Sequence, residues 1–415
     1  MNNTPQARLP HPIVWLLLYV PFGALGGFVS IALTFLATQN GLSIGEGALI
    51  IGSQMLIQWL KWLWAPMVDV TLSPKKWYIL STSLSAVGVF AMSALPLGKD
   101  SLGLLLLVIA LANLVNSVVG MSVEAMIAGL TPKDQIGRVS AWFQAGNLGG
   151  TGLGGALGLF LIQSLPKPWM AGTVMGVLFV LCCLALIPLP HVPVHVKEKS
   201  AVAAVKQVTR GFWAMIKERA GVLTALMCAL PIATGAAQGT LTQAAVAQFW
   251  GAGATQVELV QGLLSGVITA FGCFLGGWVC NRISPLSAYS IFGIALAAIA
   301  VGMAFSPATV TMYVVWNMVY ALGVGLSYAA FTAMALNALG KSAAATGYNV
   351  FASLSNFPIW WVGLLLGWVA EKQGPRPMLY VEAALGVVGV IFYLTVERVL
   401  WRSDGEAVAP ALTLQ

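Results

Sequence analysis

The chain has 415 residues, of which 59% are hydrophobic and 8% charged, and its mean hydropathy is +0.87. A soluble domain carries about 25% charged residues, so the composition excludes an ordinary water-soluble protein. It predicts instead about a dozen membrane-spanning helices of about 20 residues each. Membrane topology and lipid headgroups explain the net charge of +7, and we expect no nucleic-acid partner.

Apolar runs between turn signals predict twelve membrane spans in chain order. The first six cover roughly residues 12–38, 47–66, 77–97, 102–130, 139–164 and 169–190. The last six cover roughly residues 223–249, 257–281, 286–306, 308–337, 343–369 and 376–400. The first run follows Arg8 and is too long for the core of a signal peptide, so we interpret it as a retained span.

One long polar stretch divides the spans into two groups. Residues 1–190 are predicted to form an N-terminal six-helix half, residues 191–222 a basic cytoplasmic central loop, and residues 223–415 a C-terminal six-helix half. This plan predicts an all-α membrane protein with the major facilitator fold, in which 12 transmembrane helices in two six-helix halves surround a central cavity. The loops DVTLSPKKW and NRISPLSAY follow spans 2 and 8, and their shared Ser-Pro turn favours an internal duplication.

The basic residues predict an orientation. Of the 20 lysines and arginines, fifteen fall on the side that carries both termini, four fall on the other side, and Lys61 lies within a span. Because short cytoplasmic loops carry an excess of Lys and Arg, we expect both termini to be cytoplasmic. The predicted location is the bacterial inner membrane, with multiple passes through the lipid bilayer.

The fifth span contains the glycine-rich run GNLGGTGLGGALG at residues 146–158. Small residues let helix backbones approach closely within a membrane. The run therefore predicts a closely packed seam between the two halves, and a smooth seam of this kind would also let the halves rock. A phosphate-binding loop is excluded because the run lacks a Gly-Lys-Ser/Thr end.

Two charged residues of the first half lie well inside predicted spans, Lys61 in span 2 and Glu124 in span 4. A charge at membrane depth is costly and suggests a function. Both residues lie about six positions from the inner end of their helix, on the order of 9 Å deep, so we expect them to be able to pair. Glu124 with Lys61 is the predicted proton-coupling pair, although Lys61 alone could snorkel to the surface. Glu382 in span 12, which usually packs at the periphery of this fold, is a weaker candidate.

Amide and aromatic residues recur on one face of several spans and predict a water-filled central cavity. Gln54 and Gln58 share a face with Lys61, for example, because they are spaced by one helical turn. Any single amide could instead join helices by a hydrogen bond, so the prediction depends on the set. The predicted cavity residues are Gln54, Gln58, Asn113, Asn116, Gln144, Asn147, Gln238, Asn317, Tyr320, Asn349, Asn356 and Trp360.

The stretch LKWLWAPMVD at residues 60–69, followed by a short basic loop, resembles the end of span 2 in one branch of the major facilitator superfamily. That branch contains the AmpG-like muropeptide permeases and the acetyl-CoA transporters. In the wider superfamily the acid of this loop belongs to an inner gate. The resemblance therefore implies that Asp69 lies near the N-terminus of span 11, with Lys75 and Lys76 as the basic residues of the gating loop.

The chain departs from that branch in two places. Gly120 stands where span 4 usually carries its first acid, and Leu148 aligns with a basic residue of the muropeptide permeases. The short twelve-span members of the branch include importers of ferric pyochelin and rhizobactin, which this chain resembles in length. The resemblance thus implies a ferric siderophore as the leading substrate, with a muropeptide next and an acyl-CoA or other organic anion after it.

The sequence as a whole predicts a secondary active transporter, a proton symporter that imports a bulky small-molecule substrate. A drug or metabolite exporter and a membrane scaffold are the alternatives, since the sequence does not encode direction. The five cysteines have no metal-ligand spacing and the three histidines lie outside the spans, so we expect no metal site and no cofactor. No nucleophile–base pair is evident, so we expect no enzyme, and we expect the protein to work as a monomer.

Overall fold

The predicted apolar runs form helices in the computed structural model. It describes residues 11–130, 136–190, 218–339 and 344–405, together with single positions of the central loop. Ten helices within these residues are long and apolar enough to cross a membrane, which confirms ten of the twelve predicted spans. Eight spans are mostly continuous: span 3 Pro74–Ala94, span 4 Leu102–Leu130, span 5 Ile136–Ser164, span 6 Pro168–Leu181 extended by Cys182–Leu186, span 9 Pro285–Phe305, span 10 Val310–Leu339, span 11 Ala344–Gln373 and span 12 Pro375–Gly405.

The other four spans depart from a regular α-helix. Span 1 runs from Ile13 to Gln39 with a π-helical turn at Phe28–Leu33, and span 8 runs from Ala254 to Cys280 with one at Glu258–Leu264. Span 2 consists of Ile44–Leu60, a tighter turn at Lys61–Leu63 and Ala65–Val70. Span 7 is split into Arg219–Ala229, Ala237–Leu241 and Ala244–Phe249. The two predicted spans that are not membrane-length helices are therefore the broken spans 2 and 7, and breaks of this kind mark functional regions in membrane proteins.

Local sequence signals set where the spans begin. Spans 3, 6, 9 and 12 each begin at a proline, namely Pro74, Pro168, Pro285 and Pro375. Proline suits the first helical position because its missing N–H would have no partner there. Span 2 begins with a capping box, in which Ser43 and Glu46 each bond the other's backbone N–H.

Span 8 shows how side-chain size sorts the helix faces. Val267, Phe271, Phe274 and Trp278 recur at helical spacing on its exposed side. Its buried side carries small residues, Gly266, Thr269, Gly272 and Gly276. Lipid is as apolar as a leucine side chain, so large apolar residues gain little by burial in a membrane and small residues form the contacts between helices.

The glycine run of span 5 has two contact faces. Gly146, Gly150 and Gly154 lie directly against the backbone of span 1, within the N-terminal six spans. Gly152 lies against Gly262 of span 8, across the boundary between the two sets of six spans. The predicted seam between the halves therefore exists at Gly152, but the greater part of the run packs span 5 against span 1.

The break in span 7 is held by Glu382. Ala233 and Gly235 have positive φ angles of 51° and 64°, so the backbone leaves the helix there. The Oε1 atom of Glu382 accepts hydrogen bonds from the Ala237 N–H at 3.0 Å and from the Tyr320 hydroxyl at 2.6 Å. Span 12 exposes Val388, Ile391 and Phe392, as a peripheral helix does, but Glu382 faces inward and is 7% exposed. Its carboxyl group gives the freed backbone a partner at membrane depth.

We expect Gly152→Ala to lower the free energy of unfolding by about 1–3 kcal/mol, because the new methyl group would overlap the Gly262 carbonyl oxygen. The matched control is Gly149→Ala, three residues earlier on the same helix, where a methyl group meets nothing within 4 Å. Melting temperatures of the detergent-solubilised variants measure the difference. Equal melting temperatures for the two variants would contradict the close seam.

We expect Glu382→Leu to destabilise the protein by about 2–4 kcal/mol, because two buried donors, the Tyr320 hydroxyl and the Ala237 N–H, would lose their acceptor. Glu382→Gln keeps an oxygen acceptor and should cost much less. Both effects are measured as thermal melting of the purified protein. If the Gln variant is as unstable as the Leu variant, the negative charge rather than the acceptor maintains the break.

Candidate functional site

A cavity of about 320 Å³ lies between the N-terminal and the C-terminal six spans. Its wall includes the broken part of span 7, Ile232 to Ala236, and the seam residue Gly152. Eight of the twelve predicted cavity residues lie in this wall: Gln54, Gln58, Asn113, Asn116, Gln144, Asn147, Gln238 and Asn356. The polar helix faces thus meet at one place, as their spacing indicates.

The other four predicted cavity residues do not lie in this wall. Asn317 accepts a 2.5 Å hydrogen bond from Gln261, and Tyr320 is engaged by Glu382. Trp360 stacks on Trp59 with their ring centroids 5.5 Å apart, and Asn349 reaches the site through Glu124. Helical spacing correctly groups such residues on one face, but it does not say whether that face meets the cavity or a neighbouring helix.

Aromatic residues that the sequence analysis missed form part of the wall. Tyr19, Tyr289, Tyr328 and Tyr348 line the cavity together with Phe22, Phe143 and Phe331. The spacing of Tyr348, Ala352 and Ser355 by one helical turn was a signal, since it continues the polar face of span 11. The aromatic surface offered to a solute is therefore mainly tyrosine and phenylalanine, whereas the prediction named Trp360 and Tyr320.

Glu124 joins the two sets of spans by hydrogen bonds. The Tyr19 hydroxyl of span 1 donates to its Oε1 atom at 3.0 Å. The side-chain N–H of Asn349, in span 11, donates to its Oε2 atom at 2.6 Å. Glu124 lies in the cavity wall and is half-buried. A single carboxyl group therefore connects spans 1, 4 and 11 at the edge of the cavity.

Lys61 lies in the same wall and is 8% exposed. It occupies the tight turn where span 2 breaks. Glu124 lines the same cavity, but no nitrogen–oxygen distance of 4.0 Å or less joins the two among the described residues. The two residues, which we expect to be able to pair, therefore form no ion pair in this conformation, and the partners of Glu124 are Tyr19 and Asn349.

The predicted gating loop follows the break in span 2. The helix Ala65–Val70 contacts span 11, whereas the side chain of Asp69 lies outside the described part of the chain. Lys75 donates to the carbonyl oxygens of Leu186 and Leu189 at 3.1 and 2.5 Å. A lysine in this position satisfies the free carbonyls at the end of span 6. Lys76 is exposed, so Lys75 connects spans within the N-terminal six, and neither lysine is observed to contact span 11.

Hydrogen bonds also cross between the two sets of spans at the opposite end of the bundle. The Ala244 N–H of span 7 donates to the Thr38 hydroxyl of span 1 at 2.8 Å. The Gly45 N–H of span 2 donates to Glu371 of span 11 at 2.7 Å. The two sets are thus joined at both ends of the cavity, by Glu124 near the end that carries Lys75 and by these contacts near the other.

The described residues contain no group of three or more His, Cys, Asp or Glu side chains that could hold a metal ion. The polar side chains of the cavity wall are instead amides, hydroxyl groups and the oppositely charged pair of residue types, Lys61 and Glu124. Such a wall can bind a polar organic solute by hydrogen bonds and one ionic contact.

Several solved transporters are similar to the chain in structure. A bacterial homologue of the human lysosomal transporter Spinster, inward-facing and unoccupied, matches with a TM-score of 0.71 and 14% identity, over 93% of this chain and 96% of that chain. The nucleoside transporter NupG matches with a TM-score of 0.67 and 14% identity, over 92% and 98%. The D-xylose-proton symporter matches with a TM-score of 0.67 and 13% identity, over 92% and 96%. At these identities the likeness concerns the fold alone.

Sequence comparison gives a more specific result. The anhydromuropeptide permeases of Escherichia coli strains K12 and O157:H7 are each 25% identical to this chain over 358 residues, which cover 82% of this chain and 70% of each relative. A family model described as Major Facilitator Superfamily matches residues 15–360. This match extends over most of the chain and agrees with the fold, so the chain is a multi-pass membrane transporter that belongs to the Major Facilitator Superfamily.

Proposed function

We propose that the protein is a proton-coupled importer of a compact organic solute, which it carries across the membrane by rocking of the two sets of six spans. The observation that carries this proposal is the pair of hydrogen bonds at Glu124. The carboxyl group of Glu124 lines the cavity and accepts a 2.6 Å hydrogen bond from the side-chain N–H of Asn349 in span 11. A carboxyl group in this position can link the binding of a proton to the contact between the moving parts.

The chemistry of the link follows from the donors involved. An ionised carboxylate is only an acceptor, whereas a protonated carboxyl group carries an O–H donor on one oxygen. Protonation on Oε2 would replace the acceptor that faces the Asn349 N–H with a group that also donates. The hydrogen bond between spans 4 and 11 therefore depends on the proton, and a change of proton occupancy changes how firmly this end of the bundle is held closed.

For the substrate, the anhydromuropeptide permeases support a cell-wall sugar fragment as the first candidate. The amide-rich wall suits the hydroxyl and acetamido groups of such a sugar. A ferric siderophore, which the resemblance placed first, becomes the second candidate, supported by the aromatic wall and the small volume. Ligand cavities range from about 300 to 1,000 Å³, so a volume of about 320 Å³ favours a compact solute in this conformation.

A thermal-shift panel on the detergent-solubilised protein separates the candidates. The ligands are anhydromuropeptides, ferric pyochelin with iron-free pyochelin as its control, and acetyl-CoA. A ligand present at about a hundred times its dissociation constant adds about 2.7 kcal/mol to the apparent stability. We expect stabilisation by the anhydromuropeptides. Stabilisation by ferric pyochelin but by neither iron-free pyochelin nor the sugars would instead identify a siderophore permease.

In proteoliposomes with an imposed proton gradient, we expect Glu124→Gln to abolish accumulation, so that solute concentrations inside and outside become equal. Exchange of labelled for unlabelled solute, which needs no net proton movement, should continue. The matched control is Glu258→Gln in span 8, because Glu258 is not among the residues of the cavity wall. Accumulation by the Glu124 variant at the rate of the unmodified protein would refute proton coupling through this residue.

A further inference from the structure

The charges of the cavity wall are unusually few. Among the described residues that line it, Lys61 is the one cationic side chain and Glu124 the one acidic side chain. Lys61 is 8% exposed, and no described residue forms a hydrogen bond or ion pair with its ammonium group within 4.0 Å. The wall thus presents a positive charge that faces the open space of the cavity.

An ammonium group in this position calls for a counter-charge. Moving a charge out of water is expensive unless the charge is paired and hydrogen-bonded. Glu124 does not fill this role directly, since no nitrogen–oxygen distance of 4.0 Å or less joins it to Lys61. The amide side chains of Gln58 and Asn356 lie in the same wall and can complete the hydrogen bonding of a small anionic group.

We propose that Lys61 is the binding subsite for a carboxylate of the transported solute, an inference that rests on the proposed transport function. A single lysine without an arginine beside it matches one carboxylate rather than a phosphate cluster. The substrate class is then a compact organic monoanion. Both of the solute classes considered above include molecules that carry a carboxylate.

The balance of charge links this subsite to the proton. With Glu124 ionised, the wall of the described cavity carries one positive and one negative charge and is neutral. A bound carboxylate adds a negative charge near Glu124, which favours uptake of one proton there. Carboxylate and proton therefore bind together, and the loaded cavity is again neutral. The solute and its proton cross as an electroneutral pair, whose transport does not depend on membrane potential.

A carboxylate built into the wall tests the subsite without knowledge of the natural solute. Gln58 lies three residues before Lys61, in the last turn of the helix that ends at Leu60. Only its backbone carbonyl accepts the hydrogen bond from Asn356. We expect Gln58→Glu to raise the melting temperature of the otherwise unmodified protein, because residues three apart on a helix are neighbours. In a Lys61→Met background, Gln58→Glu should lower the melting temperature, because the new carboxylate would have no cation beside it. Gln54→Glu, one turn further away, is the control and should lower the melting temperature in both backgrounds.

Benzoate and its uncharged counterpart benzamide then probe whether the subsite is open to a solute. We expect benzoate to stabilise the unmodified protein, and its affinity to fall about 30-fold or more in Lys61→Met. The Gln58→Glu variant should also lose the stabilisation by benzoate, because its own carboxylate already lies beside Lys61. Lys61→Arg should retain the stabilisation. Benzamide should not distinguish the variants, and Lys61→Arg keeps the test available if Lys61→Met does not fold.

The proposal is overturned if Gln58→Glu lowers the melting temperature equally with and without Lys61. A missing benzoate effect in the unmodified protein, or an equal effect in Lys61→Met, also overturns it. These readouts need neither a proton gradient nor Glu124. Failure of accumulation to depend on Glu124 would therefore refute proton coupling while leaving the carboxylate subsite intact.

Discussion

The need to satisfy backbone polar groups within the bilayer governs the arrangement of this protein. Lipid offers no hydrogen bonds, so a helix can break at membrane depth only where protein groups or a water-filled cavity replace the missing partners. Span 7 breaks between Ala229 and Ala237, and Glu382 with Tyr320 supplies the partner for the freed Ala237 N–H. The break lies in the cavity wall. The buried carboxyl group of Glu382 therefore fixes the backbone of part of the wall without lining the cavity itself.

Close packing of glycines complements these breaks. Gly146, Gly150 and Gly154 bring span 5 into backbone contact with span 1, and Gly152 brings it against Gly262 of span 8. Span 5 thus contacts both span 1 and the C-terminal spans through backbone atoms. Two helices that touch through backbone atoms have no long interdigitated side chains between them. Such helices can slide or tilt without changing side-chain rotamers. The seam can therefore be tight and still permit movement, provided that the hydrogen bonds at the two ends of the cavity exchange.

Much of this architecture could be predicted from the sequence, because spans are long and their signal is strong. Composition gave the membrane class, apolar runs gave ten spans directly, and eight polar residues such as Gln54 and Asn113 met at the cavity as their spacing indicates. The breaks in spans 2 and 7 were not predicted, although Pro231 and Gly235 lie in the second of them. A proline alone is an ambiguous signal here, since Pro21 and Pro358 lie inside helices of spans 1 and 11. Nor does periodicity reveal which neighbour a face meets, so Asn317 and Tyr320 were assigned to the cavity although they lie against other helices.

The pairing of Lys61 with Glu124 shows the same limit in its most informative form. Both residues lie in one cavity wall, as their similar spacing from the inner ends of their helices suggested. Spacing along a helix does not show which side chains a carboxyl group contacts, and Glu124 bonds Tyr19 and Asn349 rather than Lys61. Glu124 thereby joins spans 4 and 11, while the Lys61 ammonium group faces the cavity without a bonded partner among the described residues. In the proposed mechanism this separation matters, because a solute carboxylate would bind at Lys61 and a proton at Glu124, in two different parts of the same cavity.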